Sequence, residues 1–371
     1  MDAAWASLFA FDFLLALAVF FLLDYLSRAL PARESAGPGG RIELFDWLKG
    51  IAILAVVVIH LAGDEQQLLH FAVPLFLVCS GYLLMDRYGK EGVGRRYWSS
   101  LFWRLLLPYA LIVAILDLAY LPSSLNLAEF GRQLLLGYGP VFNCFENYFI
   151  PLIIGLYLLF PLMRRPLSDA RSASLSLLLI LLLSAVFQLA WDGINSQAGV
   201  AARCFDFNRI NWELPLRYLF CFAAGMALAR IDLRALLKHR RLLALATLLS
   251  FLCIAAFWNL WLERSAIALP ILVFLLLYTL FSHPMPGFLR PVLGVLAHLG
   301  RYSLGIYLFH YAFWRLWVSW EMPANAAGVL LGCAFVLVCS AAASVAFFWF
   351  YRHLLPRVEP RAAPAHRTRR S

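Results

Sequence analysis

Two residues eleven positions apart carry the strongest chemical signal in the chain: Lys49 and His60, in the run Lys49-Gly-Ile-Ala-Ile-Leu-Ala-Val-Val-Val-Ile-His60. At about 100° per residue, eleven steps make three turns plus ~20°, so the two share one face of a helix, ~16 Å apart along its axis. One face thus presents a cation at one end of an apolar helix and a titratable base deep within it. A neutral imidazole takes a proton from an attacking hydroxyl near neutral pH. Each residue also has a simpler reading. Lys49 can snorkel to a membrane surface, and His60 can bond a neighbouring helix.

Further polar groups stand in apolar runs. Ser80 precedes Gly81 in PLFLVCSGYLL, and either donates to a reaction intermediate or packs helix against helix. Tyr307 and His310 lie three apart on one helix face, for catalysis or for a helix–helix hydrogen bond. Asp117 lies near a predicted outer boundary, where access to water accounts for it. His60, Asp64, Glu65 and His70 have ligand chemistry, but the acids belong to a short external turn and no metal is expected.

The elements that position these groups follow from composition. The chain has 371 residues, 63% hydrophobic and 14% charged, with a mean hydropathy of +0.77. Soluble domains have ~45–50% apolar and ~25% charged residues. Soluble, disordered, collagenous and disulfide-stapled classes are therefore excluded. The long unbroken apolar runs exclude a transmembrane barrel. The expected fold is all-α, a polytopic transmembrane helix bundle with 11 spans: 6–27, 44–63, 70–86, 99–120, 148–163, 173–191, 215–229, 242–261, 266–282, 302–319 and 326–351.

The net charge of +10 comes from Lys and Arg in loops on one side, so nucleic acid is not an expected partner. With the N-terminus outside and the C-terminus cytoplasmic, 25 of the 31 Lys and Arg fall on the inner face, as the positive-inside rule requires. Residues 1–30 form an extra N-terminal transmembrane helix, retained rather than cleaved, and 31–43 a Pro/Gly-rich cytoplasmic linker. Residues 44–352 are a ten-helix core, and 353–371 a basic tail expected to be disordered near anionic headgroups. Two external loops, Pro122–Asn147 and Asp192–Leu214, either handle a substrate or cap helix ends. They hold Cys144 and Cys204, for which a disulfide is possible.

Several motifs then occur in order. Leu48–His60 (LKGIAILAVVVIH) resembles the signature of the membrane acyltransferase-3 family, a basic residue and a histidine separated by ten residues. Pro74–Leu84 (PLFLVCSGYLL), Arg104–Tyr109 (RLLLPY), Tyr148–Pro161 (YFIPLIIGLYLLFP) and Gly300–His310 (GRYSLGIYLFH) resemble its later segments. Together they run from about Arg41 to Arg352. There are departures. Lys49 replaces the commoner Arg and grips phosphate less directionally. Leu101 stands where an Arg is frequent, and Glu146 or Asn147 where a His often opens the aromatic region.

The resemblance implies a bacterial inner-membrane O-acyltransferase. It would move an acyl group, usually acetyl, from cytosolic acyl-CoA to a hydroxyl of a cell-surface glycan or its lipid-linked precursor. Acetyl-CoA is then a co-substrate, and no bound cofactor is expected. His60 is the expected general base or transient acyl carrier, with Ser80 and His310 as further catalytic candidates. Lys49, Arg104, Arg301, Arg95 and Arg96 are candidates for holding CoA, and Tyr307, Glu146 and Asn147 complete the set. A transporter or flippase of a lipid-linked glycan is the alternative, and a scaffold for polysaccharide synthesis a third reading.

Overall fold

The computed structural model describes residues 3–30, 43–62, 69, 71–90, 92–120, 127–136, 149–168, 170–197, 218–233, scattered positions in 241–248, 269–282, 285–320 and 326–354. Among them the chain is built from helices. In order these are α1 (Ala3–Ala29), α2 (Glu43–Ala62), α3 (Ala72–Tyr88), α4 (Arg95–Leu101), α5 (Leu107–Tyr120), α6 (Leu127–Leu136) and α7 (Phe149–Ser168). Then follow α8 (Ala170–Gln197), α9 (Leu219–Leu228), α10 (Leu269–Phe281), α11 (Arg290–Arg301), α12 (Ser303–Ser319) and α13 (Ala326–Leu354).

A helix is present at each expected span except 242–261, which lies largely outside the described residues. Among the described residues, four helices are long and apolar enough to cross a membrane: Glu43–Leu61, Arg95–Ala119, Phe149–Ser168 and Ala326–Leu354. The pair Gly287–Arg301 and Ser303–Ser319 makes a fifth if it counts as one span. Shorter apolar helices cover Ser172–Phe187, Leu219–Leu228 and Pro270–Phe281. These are the helices of a multi-pass membrane protein.

Two glycine-mediated crossings hold the centre together. At α2 and α11, a Cβ on Gly50 would collide with the carbonyl of Leu296, and one on Gly300 with the carbonyl of Asp46. At α3 and α9, Gly81 lies against the carbonyl of Phe222 and Gly225 against that of Val78. In lipid, where burying apolar surface gives helices little drive to associate, close backbone approach supplies the packing. Gly81 thus explains its own presence, while Ser80 beside it is left to face elsewhere.

Two elements differ from the sequence expectation. Arg290–Arg301 was expected in an inner loop, yet it is a helix, set at 83° to α12. Its apolar positions face both ways: Leu293 and Leu299 are buried, whereas Val292 and Val295 are exposed. A π turn, Phe102–Leu106, joins α4 to α5. Such a turn frees carbonyls from the helical ladder, and the Tyr351 hydroxyl donates to that of Trp103 at 2.6 Å, pinning α13 to this segment.

Asp117 also departs from its expected solvation. It is 3% exposed, and Gln133 Nε2 donates to it at 3.1 Å. Tyr109 in turn donates to the Gln133 carbonyl at 2.9 Å. The acid therefore docks α6 onto α5, a structural task. At the other edge Ser174 donates to the Asp24 carboxylate, which also pairs with Arg28 at 2.9 Å, tying α1 to α8.

Candidate active site

The residues singled out by chemistry converge on a cavity of about 340 Å³ among α2, α3, α4, the π turn, α7 and α12. Lys49 reaches it from α2, Arg104 from the π turn, and Tyr307 from α12. From α3 come Phe76, Ser80 and Arg87. Their spacing explains why: Ser80 is four residues after Phe76, and Arg87 seven after Ser80, so all three lie on one helical stripe. Arg87 is ~16 Å further along the axis than Phe76. The stripe gives the cavity its polarity, with cations at one end and aromatic rings at the other.

The cationic end is braced by an aromatic and arginine frame. Tyr97 stacks on Phe160 with centroids 5.5 Å apart and meets the Tyr88 ring edge-on at 5.1 Å. Its hydroxyl donates to the carbonyl of Tyr157 at 2.6 Å. Arg164 donates to the carbonyl of Gly89 at 2.7 Å, fixing α7 to the end of α3. Arg87 lies 5.3 Å from the centre of the Tyr88 ring, a cation–π distance. Ser80 and Tyr157 both line the cavity wall.

The other end is closed by rings in sequence. Phe76 meets Phe149 at 5.5 Å, and Phe149 meets Tyr307 edge-on at 5.1 Å. Behind Tyr307 lies His310, with centroids 5.4 Å apart, and beyond it His60 at 5.0 Å. Lys49 thus turns to a cavity that α12 also lines, and His60 turns to a ring on α12 itself. The shared face expected for Lys49 and His60 is consistent with both placements. His310 is 1% exposed, and its Nδ1 hydrogen-bonds the carbonyl of Tyr307.

The other candidates fall differently. Arg95, Arg96 and Arg301 are exposed and lie outside the cavity lining. Arg301 ends α11, on the far side of the bend from Ser303 and Tyr307, which do line it. Glu146, Asn147, Cys144, Cys204, Asp64, Glu65 and His70 lie outside the described residues. Among the described residues no three His, Cys, Asp or Glu side chains gather closely enough for a metal ion. Sequence reasoning missed Arg87, Tyr97 and Tyr157 as lining groups. For Arg87 the signal was available, in its heptad spacing from Ser80.

Cations, hydroxyls and, behind the Tyr307 ring, two imidazoles are thus gathered around one cavity. The family model described as an acyltransferase domain matches residues 42–345, which takes in every cavity-lining element. The chain belongs to the membrane acyltransferase-3 family and is a membrane acyltransferase. Comparison with the curated proteins finds no match, and neither does comparison with the solved structures.

Proposed function

Taking a membrane acyltransferase as the premise, we propose that the donor is acyl-CoA, chiefly acetyl-CoA, entering from the cytosol, and that the acceptor is a hydroxyl of a cell-surface glycan or its lipid-linked precursor at a bacterial inner membrane. One observation carries the reading: Lys49, Arg87 and Arg104 line one cavity, and the Tyr307 ring that also lines it is backed by His310 and His60. Phosphates of CoA would rest on the three cations. A volume of about 340 Å³ is at the small end of ligand pockets, ~300–1,000 Å³, and suits the thioester-bearing arm rather than the nucleotide.

The chemistry needs a base at the attacking hydroxyl and donors for the oxygen that gains charge. His60 supplies the base or carries the acyl group transiently, and the Ser80 hydroxyl on the cavity wall is the candidate donor. Family membership favours this over transport of a lipid-linked glycan. The test is mass spectrometry of surface glycans with and without the gene. Loss of increments of roughly 42 Da, the mass of one acetyl substitution, is the expected result. Unchanged acetylation would overturn the reading, and disappearance of the glycan itself would favour transport.

A further inference from the structure

His310 makes one bond and is left able to make another. Its Nδ1 is bonded to the backbone carbonyl of Tyr307. A carbonyl oxygen only accepts, so Nδ1 carries the ring hydrogen and Nε2 keeps the lone pair. That Nε2 is buried and has no hydrogen-bond partner among the described residues. A buried acceptor left unsatisfied costs about 1–3 kcal/mol, which calls for a donor that arrives in use. The ring that lies beside it is His60, with centroids 5.0 Å apart and planes at 42°. Two imidazoles joined edge to edge through an N–H···N bond of ~2.9 Å have centroids roughly 5 Å apart. The centroid separation is thus the one such a bond requires, and His60 is the less buried of the two rings.

We propose that His310 is a positioning residue for His60, its Nε2 accepting the N–H of the His60 ring so that the other His60 nitrogen is held bare for the acceptor hydroxyl. The proposal rests on the reading of His60 as the base of an acyl transfer from acyl-CoA. In the step, the hydroxyl proton passes to the bare nitrogen of His60 while its oxygen bonds the thioester carbonyl carbon. The C–S bond then breaks, and the proton passes from His60 to the departing thiolate. His310 gains and loses no proton. It fixes the His60 tautomer and stabilises the cationic ring, the task a carboxylate performs in a serine–histidine–aspartate triad. A neutral imidazole does it here without burying a charge inside the membrane bundle. The backbone bond at Nδ1 also excludes that nitrogen of His310 as the acyl carrier.

The experiment compares His310→Gln with His310→Asn in the full-length, membrane-extracted enzyme, using acetyl-CoA as donor. Glutamine places an acceptor near Nε2. Asparagine places its amide near Nδ1 and leaves the Nε2 position empty. The readouts are kcat, KM for acetyl-CoA, and the melting temperature. We expect His310→Asn to lower kcat on the order of 100-fold, the scale of lost base catalysis, with KM within about twofold. His310→Gln should recover at least a tenth of the wild-type kcat. Equal kcat in the two variants, or a loss that follows melting temperature alone, would overturn the proposal while leaving the donor and His60 in place. A wild-type enzyme that transfers nothing from acetyl-CoA, or a His60→Ala variant with wild-type kcat, would remove the underlying reading and the proposal with it.

Discussion

The two ends of the cavity are built on opposite plans. At the cationic end, Lys49, Arg87 and Arg104 reach inward from three separate elements, and both arginines are largely exposed. Water screens exposed charges such as these. At the histidine end, Tyr307 is 5% exposed and His310 1%, and rings from α2, α3, α7 and α12 meet at 5.0–5.5 Å. Packed rings have few alternative arrangements. On the proposed function the contrast is a division of labour: the first end would grip by summed, replaceable charge, and the second would orient by a single geometry. Substitutions should therefore be graded at one end and steep at the other.

The steepest effect is expected at His60. His60→Ala removes the proposed base and should lower kcat about 10³-fold, within the ~10²–10⁴ that general bases contribute. Its KM for acetyl-CoA should stay within about threefold, and the protein should accumulate in the membrane as before. Turnover of the isolated enzyme, with the acetyl content of surface glycans alongside, measures this. Wild-type acetylation would break the contrast at its rigid end, because packing there would then serve no chemistry.

Much of that end was legible in the chain. The helical period places Lys49 and His60 on one face, and Tyr307 with His310 on another, before any coordinates. What could not be read was that the two faces meet, since periodicity orders residues around one helix and says nothing of its neighbour. The cationic end was less legible. Arg87 follows the apolar run of α3 and reads as a loop charge, although its spacing from Ser80 puts it on the cavity stripe. Arg301 reads as the start of a span, but the 83° bend at Tyr302 leaves it on α11, away from the lining. That helix was hidden because a hydropathy window averages its apolar residues with Arg290, His298 and the flanking prolines and glycine. The expectation of 11 spans rests on the same averaging, which sees composition but neither a bend nor a π turn.

An intermediate effect is expected at Arg104. Arg104→Ala should raise KM for acetyl-CoA about fivefold and leave kcat within about twofold, as for one exposed charge among several. The increase should shrink at 0.5 M salt, to roughly twofold or less, because screening already weakens the contact in the parent enzyme. A fall in kcat with unchanged KM would instead make Arg104 part of the orienting end.

The smallest effect sharpens the contrast most, because it separates position from charge. Arg95 and Arg96 belong to the same continuous helical segment as Arg104 and are exposed, but neither lines the cavity. In an α-helix, Arg95 lies nine residues and therefore about half a turn round from Arg104. The double variant Arg95→Ala/Arg96→Ala removes twice the charge of Arg104→Ala from the same helical segment. If the donor is gripped by side chains that reach the cavity, its KM should change less than about twofold at 0.15 M salt, where charges more than ~8 Å away are largely screened. If the double variant raises KM as much as Arg104→Ala does, the grip is a general positive field and not a lined site. Steady-state kinetics of the two variants side by side, at matched ionic strength and matched protein content, decides between a built cationic mouth and a merely basic surface.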